Sequence, residues 1–128
     1  MSNQAVIMII DDDASMVRLY TNIFQVEGYN VVSASSGKEA LEKLQQLTPT
    51  VILLDLMMPN MSGFDFLEQI RESEKTKDVP VIVLTNLATD DTQQEIQKYN
   101  VKKFLIKSDY MPKQILEEVQ SVIPQTDK

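Results

Sequence analysis

Val6-Ile7-Met8-Ile9-Ile10-Asp11-Asp12-Asp13 passes without a break from an apolar run into three adjacent carboxylates. The run reads as a buried strand, which sets the acids side by side at a sheet edge. At an effective dielectric near 20, two unit charges about 4 Å apart repel by roughly 4 kcal/mol. Protonation, solvation, a lysine, or a hard divalent cation that takes oxygen ligands can offset that repulsion.

Further apolar runs alternate with helical patterns, the signature of an α/β domain with a parallel sheet. Met16, Leu19, Tyr20, Ile23 and Phe24 are expected on the inner face of a first helix, which Gly28 ends with a left-handed cap. Asn30 to Ala34 is a short second strand. Ser36-Gly37-Lys38-Glu39 has the form of a capping box and opens a second helix. Ala40, Leu41, Leu44 and Leu47 face inward from it, and it closes before Pro49. Val51 to Leu54 is a third strand ending at Asp55, and Phe64, Phe66, Leu67 and Ile70 mark a third helix. Val81 to Leu84 is a fourth strand ending at Thr85. The weakest helix runs from Asp90 to Tyr99, anchored by Ile96 and Tyr99, with Asn100 as a left-handed stop. Phe104 to Ile106 is a fifth strand ending at Lys107. Pro112 starts the last helix, with Ile115, Leu116, Val119 and Val122 as its apolar stripe.

Composition removes several function classes. The absence of cysteine excludes a disulfide frame and a thiolate metal site. The absence of histidine removes imidazole ligands and every Ser-His or Cys-His mechanism. A net charge of -7 opposes general affinity for phosphate backbones, and the basic cluster of Lys102, Lys103 and Lys107 lacks interleaved aromatics. No apolar run approaches the roughly 20 residues that span a bilayer, and Met1-Ser2-Asn3-Gln4 lacks the basic start of a signal peptide. The expectation is one cytoplasmic domain over residues 1–128, with its core at about 5–123 and a frayed tail after Pro124. It should make no direct contact with nucleic acid or membrane.

In an open α/β sheet, ligands bind beyond the carboxyl ends of the strands. Here those ends carry Asp11 and Asp12, Asp55, Thr85 and Lys107. Singly, each has an ordinary reading: turn or cap residues for the acids and the threonine, a solvated charge for the lysine. Together they point to phosphoryl transfer onto a carboxylate. Asp55 is the candidate nucleophile. Asp12, with Asp11 in support, suits Mg²⁺, with Mn²⁺ as a substitute. Lys107 and the Thr85 hydroxyl are placed to hold phosphoryl oxygens.

Ile9-Ile10-Asp11-Asp12-Asp13, Leu53-Leu54-Asp55-Leu56-Met57-Met58-Pro59 with Met61 and Gly63, Leu84-Thr85, and Phe104-Leu105-Ile106-Lys107 occur in the order seen in one family. Over about Ala5 to Ile123 the chain resembles the receiver domain of two-component response regulators, of the stand-alone type. The resemblance implies a flavodoxin-like (CheY-like) three-layer sandwich, with a five-stranded parallel sheet in order 2-1-3-4-5 and five flanking helices. It implies Asp55 as phosphoacceptor, Asp12 as a direct metal ligand, Asp11 acting through water, and the Met57 backbone carbonyl as a further ligand. Thr85 and Phe104 match the switch pair, in which the hydroxyl moves toward the phosphoryl group and the ring turns inward. Phe104 reads equally well as core packing. Asp13 reads as a helix-start residue favoured by the dipole.

Three positions depart from the family pattern. Ser108 stands where a proline, often cis, follows the strand-five lysine. A cis bond before a non-proline costs about 2.5–4 kcal/mol, so a trans peptide and a shifted loop are expected. Asn86 replaces a small residue, and its bulk is expected to restrict access to the phosphoryl group. Tyr99-Asn100-Val101 replaces a glycine-alanine step.

The function expected from the resemblance is Mg²⁺-dependent acceptance of a phosphoryl group from a sensor histidine kinase or histidine phosphotransfer protein. Output passes to a separate effector through the face of helix four, strand five and helix five, from a monomer or a phosphorylation-linked dimer. The polar fourth helix implies low local stability on that face. Such a domain catalyses only its own phosphorylation and dephosphorylation. Two alternatives stand beside it. A phosphorylation-independent adaptor would keep the fold without the chemistry. A metal-dependent phosphatase with an aspartate nucleophile, of the haloacid dehalogenase type, would need an acid two positions after Asp55, where this chain has Met57.

Overall fold

The computed structural model describes residues 5–58, 61–87 and 89–123, so Pro59 and the tail after Pro124 lie outside it. The elements are β1 (Val6–Ile10), α1 (Ala14–Val26), β2 (Asn30–Ala34), α2 (Gly37–Leu44), β3 (Val51–Leu54) and α3 (Gly63–Glu72). They continue with β4 (Val81–Thr85), α4 (Asp90–Ile96), β5 (Lys103–Ile106) and α5 (Pro112–Val122). The strands pair in parallel, in the order β2-β1-β3-β4-β5. This is the fold expected from the sequence.

Because successive side chains of a strand point to opposite faces, each strand feeds two cores. Met8, Ile10, Ile52, Leu54 and Val83 pack with Ala40 and Leu44 of α2 and with Phe66, Leu67 and Ile70 of α3. Ile7, Ile9, Leu53, Ile82 and Leu84 pack with Tyr20 and Phe24 of α1 and with Ile115, Leu116 and Val119 of α5. Burial on both faces is why the central strands are continuously apolar rather than alternating.

Several local readings hold and several shift. Gly28 has φ 94° and Asn100 has φ 57°, the left-handed stops expected at those positions. Leu19 is 40% exposed and is not on the inner face of α1. With 3.6 residues per turn it lies about 100° around the helix from buried Tyr20, whereas Val17 lies about 60° away and packs against the core instead. The capping box is offset: Ser36 Oγ accepts from Glu39 N, but Glu39 Oε1 accepts from Ser35 N and Ser35 Oγ rather than from Ser36 N. The expected fourth helix is α4 followed by a tighter 3₁₀ turn, Gln97–Tyr99, before Asn100.

Two residues set loops at opposite edges of the sheet, Gly63 at the carboxyl edge and Arg71 at the amino edge. A Cβ on Gly63 would sit 2.8 Å from Leu56 Cα, so only glycine lets the start of α3 close onto the chain leaving β3. There Gly63 N donates to Leu56 O at 3.2 Å. Arg71, in the last turn of α3, donates to the backbone carbonyls of Thr76, Lys77, Val79, Tyr99 and Asn100. One planar guanidinium thereby ties the approach to β4 to the approach to β5.

Candidate functional site

Beyond the carboxyl ends of β1, β3, β4 and β5, four side chains meet. Asp55, 8% exposed, is their centre. Thr85 Oγ1 donates to Asp55 Oδ1 at 2.9 Å, and Lys107 Nζ donates to Asp55 Oδ2 at 2.9 Å. The same ammonium donates to Asp11 Oδ2 at 2.8 Å. Thr85 itself accepts from Leu87 N at 3.2 Å, so its hydroxyl is oriented from both sides.

Asp11 and Asp55 leave their strands in the same way. Asp11 Oδ1 accepts from Asp13 N, and Asp55 Oδ1 accepts from Met57 N, each two residues on. These Asx turns fix the carboxylates at the sheet edge. The contact from the Met57 amide is one that sequence reading missed, although an aspartate at a strand exit is itself the signal for such a turn.

The three consecutive acids separate by role. Asp13 is the N-cap of α1, accepting from Ser15 N and Met16 N. Asp12 is exposed, whereas Asp11 is buried. Asp11, Asp12 and Asp55 each offer one carboxylate oxygen, all within 4.8 Å of one another. That oxygen-only, acidic donor set is the kind that magnesium takes through one or two carboxylates plus water, so the residues present fit the ion.

Burial pushes the Asp11 carboxyl above its ordinary range, against the opposing pull of the Lys107 ammonium and the Asp13 amide. Burial acts on Lys107 in the opposite sense, but hydrogen bonds and charge from Asp11 and Asp55 outweigh it and raise the ammonium above its ordinary value. One cation faces two anions, so pairing dominates on the lysine side and desolvation on the aspartate side.

Phe104 is half-buried and packs against the core on the α2–α3 face. Its register partner is Val83, two residues before Thr85. Lys107–Ser108 is a trans peptide, and β5 runs directly into a 3₁₀ turn, Lys107–Asp109. Asn86 and Ser108 are both exposed, and Asn86 Oδ1 accepts from Ser108 N at 3.0 Å.

The model of the response regulator receiver domain matches residues 7–120. The chain belongs to the receiver domain family of response regulators. The receiver domain is 33% identical to the probable transcriptional regulator ycf27 of Porphyridium aerugineum, across 95% of this chain and 49% of that protein. It is also 33% identical to the DNA-binding dual master transcriptional regulator RpaA of Synechocystis, across 95% of this chain and 50% of that protein. It thus spans about half the length of these curated relatives. The chemotaxis protein CheY4 of Vibrio cholerae superposes with a TM-score of 0.87 at 31% identity, covering 94% of this chain and 99% of that one. Receiver domains are signalling phosphoacceptor modules of two-component systems that bind Mg²⁺ at an acidic pocket. No helix among the described residues is long and apolar enough to cross a membrane.

Proposed function

We propose that Asp55 is the phosphoacceptor of this receiver domain. A carboxylate oxygen of Asp55 attacks the phosphorus of a phosphohistidine on a sensor kinase or phosphotransfer protein. The phosphorus–nitrogen bond breaks, the imidazole leaves with a proton from solvent, and an acyl phosphate remains on Asp55. The observation that carries this reading is the convergence of Thr85 Oγ1 and Lys107 Nζ on the two oxygens of one carboxylate. Lys107 offers a positive charge, and Thr85 a hydroxyl donor, to oxygens on which charge accumulates.

Asp12 and Asp55 would hold Mg²⁺ directly, with Asp11 acting through water and the Met57 carbonyl completing the protein ligands; Mn²⁺ could substitute. Bound there, the ion neutralises charge on the transferred group. Thr85 and Phe104 carry the switch: the hydroxyl now on Asp55 passes to a phosphoryl oxygen, and the Phe104 ring turns inward. The face of α4, β5 and α5 then meets an effector, from a cytoplasmic protein that is a monomer or a phosphorylation-linked dimer. The domain catalyses only its own phosphorylation and dephosphorylation.

Incubation with Mg²⁺ and phosphoramidate, followed by intact-mass measurement, tests the proposal. The expected result is a gain of about one phosphoryl mass that is lost in Asp55→Asn. Absence of any adduct favours an adaptor, and continuous turnover of an organic phosphate favours a phosphatase.

A further inference from the structure

The two residues that hold Asp55 from the far side of the sheet, Thr85 and Lys107, are each followed by a residue of one unusual hydrogen bond. Asn86 Oδ1 accepts from Ser108 N at 3.0 Å across a separation of 22 residues. The last register pair of β4 and β5 is Thr85 with Ile106. The Asn86–Ser108 bond therefore adds a rung beyond the end of the ladder, made by a side chain where no backbone pair continues. An amide nitrogen cannot accept, so the carboxamide oxygen must face Ser108, and Ser108 must supply a backbone N–H.

We propose that Asn86 is a positioning residue for phosphoryl transfer, clasping the chain after Lys107 so that the ammonium stays on Asp55. This inference rests on the reading of Asp55 as phosphoacceptor. Asn86 touches none of Asp11, Asp12, Asp55 or Lys107 through any described hydrogen bond. Its effect reaches the site through the backbone of Ser108, one residue from Lys107. The 3₁₀ turn Lys107–Asp109 begins at the lysine itself, so the path of that turn sets where the lysine side chain starts. Proline at position 108 would restrict the same backbone by its ring but has no N–H to donate. The asparagine and the non-proline residue are thus two halves of one device.

Both partners are exposed, so their replacement leaves the core untouched. The test is a double-mutant cycle of wild type, Asn86→Ala, Ser108→Pro and the double variant, loaded with phosphoramidate and Mg²⁺ and followed by intact mass. Asn86→Ala is expected to lower the loading rate at saturating phosphoramidate by about 2- to 12-fold, the range of one net hydrogen bond. The Mg²⁺ concentration for half-maximal loading should not change, because Asn86 does not approach the acidic oxygens. In the Ser108→Pro background the same substitution should have no further effect, since no donor remains. Amide exchange at Ser108 should quicken in Asn86→Ala and stay slow in Asn86→Asp, which keeps an acceptor oxygen.

Equal loading by wild type and Asn86→Ala overturns the inference alone, as does faster loading, the result if the bulk of Asn86 restricts access to the site, or the same fold-loss in both backgrounds. A parallel shift in Mg²⁺ requirement and rate overturns it too, because general loosening moves both. A wild-type protein that gains no mass overturns the phosphoacceptor reading, and this inference with it.

Discussion

Lys107 Nζ donates to Asp55 Oδ2 at 2.9 Å although 52 residues separate the two in the chain. That contact, with its twin to Asp11, already supplies part of the counter-charge that adjacent acids at a strand end require. Removing it leaves two buried carboxylates facing each other. Lys107→Ala should lower metal-free stability by about 1–3 kcal/mol, below the 3–5 kcal/mol typical of a fully buried broken pair. Added Mg²⁺ should restore part of the loss. Urea titrations with and without Mg²⁺ measure both effects, and an unchanged midpoint in metal-free buffer would refute the first.

Asp12 is exposed, whereas Asp11 and Asp55 are buried and anchored by backbone amides. Asp12→Asn should therefore leave metal-free stability unchanged or slightly raised. Mg²⁺ at about 100 times its Kd adds about 2.7 kcal/mol to a protein that binds it only when folded. Most of that increment should vanish in Asp12→Asn. Thermal unfolding over a Mg²⁺ series reports the difference directly.

Asp13 holds a different job beside these two. As the α1 N-cap it satisfies two otherwise unpaired amides, so Asp13→Ala should cost about 1 kcal/mol. Its Mg²⁺ affinity should match wild type. A large loss of affinity in this variant would place Asp13 among the ligands instead.

Arg71 spreads one guanidinium over five carbonyls, and burial lowers its pKa only from an extreme value. Lysine cannot reproduce that planar fork. Arg71→Lys should destabilise by about 2–3 kcal/mol, on the scale of one or two hydrogen bonds to a charged group. Amide exchange should rise at residues 97–102 before it rises in α1. Uniform exchange across the chain would count against a local clamp.

Three groups give the pH dependence its shape in the absence of metal. The Lys107 ammonium is raised in the fold, so its contribution is complete below the ordinary lysine value and is lost only as pH climbs through the folded one. Stability should therefore show no Lys107 titration between pH 7 and 10, the upper limit set by the ordinary lysine pKa of about 10.4. Glu39 is lowered by its hydrogen bonds from Ser35; it stabilises above its ordinary range, and this is lost as pH falls through the folded value. Asp11 is raised by burial, so the native state holds its proton more tightly and mild acid favours folding at that site. Asp11→Asn should remove that acid-side gain, and Glu39→Gln should flatten the acid-side loss. Chemical denaturation from pH 3 to 10 separates the two.

Periodicity in the chain determined the strands, most helix faces, the left-handed stops at Gly28 and Asn100, and the cap at Asp13. Each depends on a run of neighbours, and local sterics and hydrogen bonding decide it. Leu19 shows the limit even there: its apolar character is legible, but whether it is covered depends on how α1 is rotated against the sheet. The gathering of Asp11, Asp12, Asp55, Thr85 and Lys107 at one edge of the sheet was also readable, as residue types at strand ends. Only tertiary structure decided that Lys107 bridges two aspartates, that Arg71 joins two loops, and that Asn86 grips the amide of Ser108. Apart from Arg71's bonds to the nearby Thr76, Lys77 and Val79, those contacts cross 22 to 96 positions of sequence. Their geometry follows from strand order and register, which bring distant exits within hydrogen-bond reach.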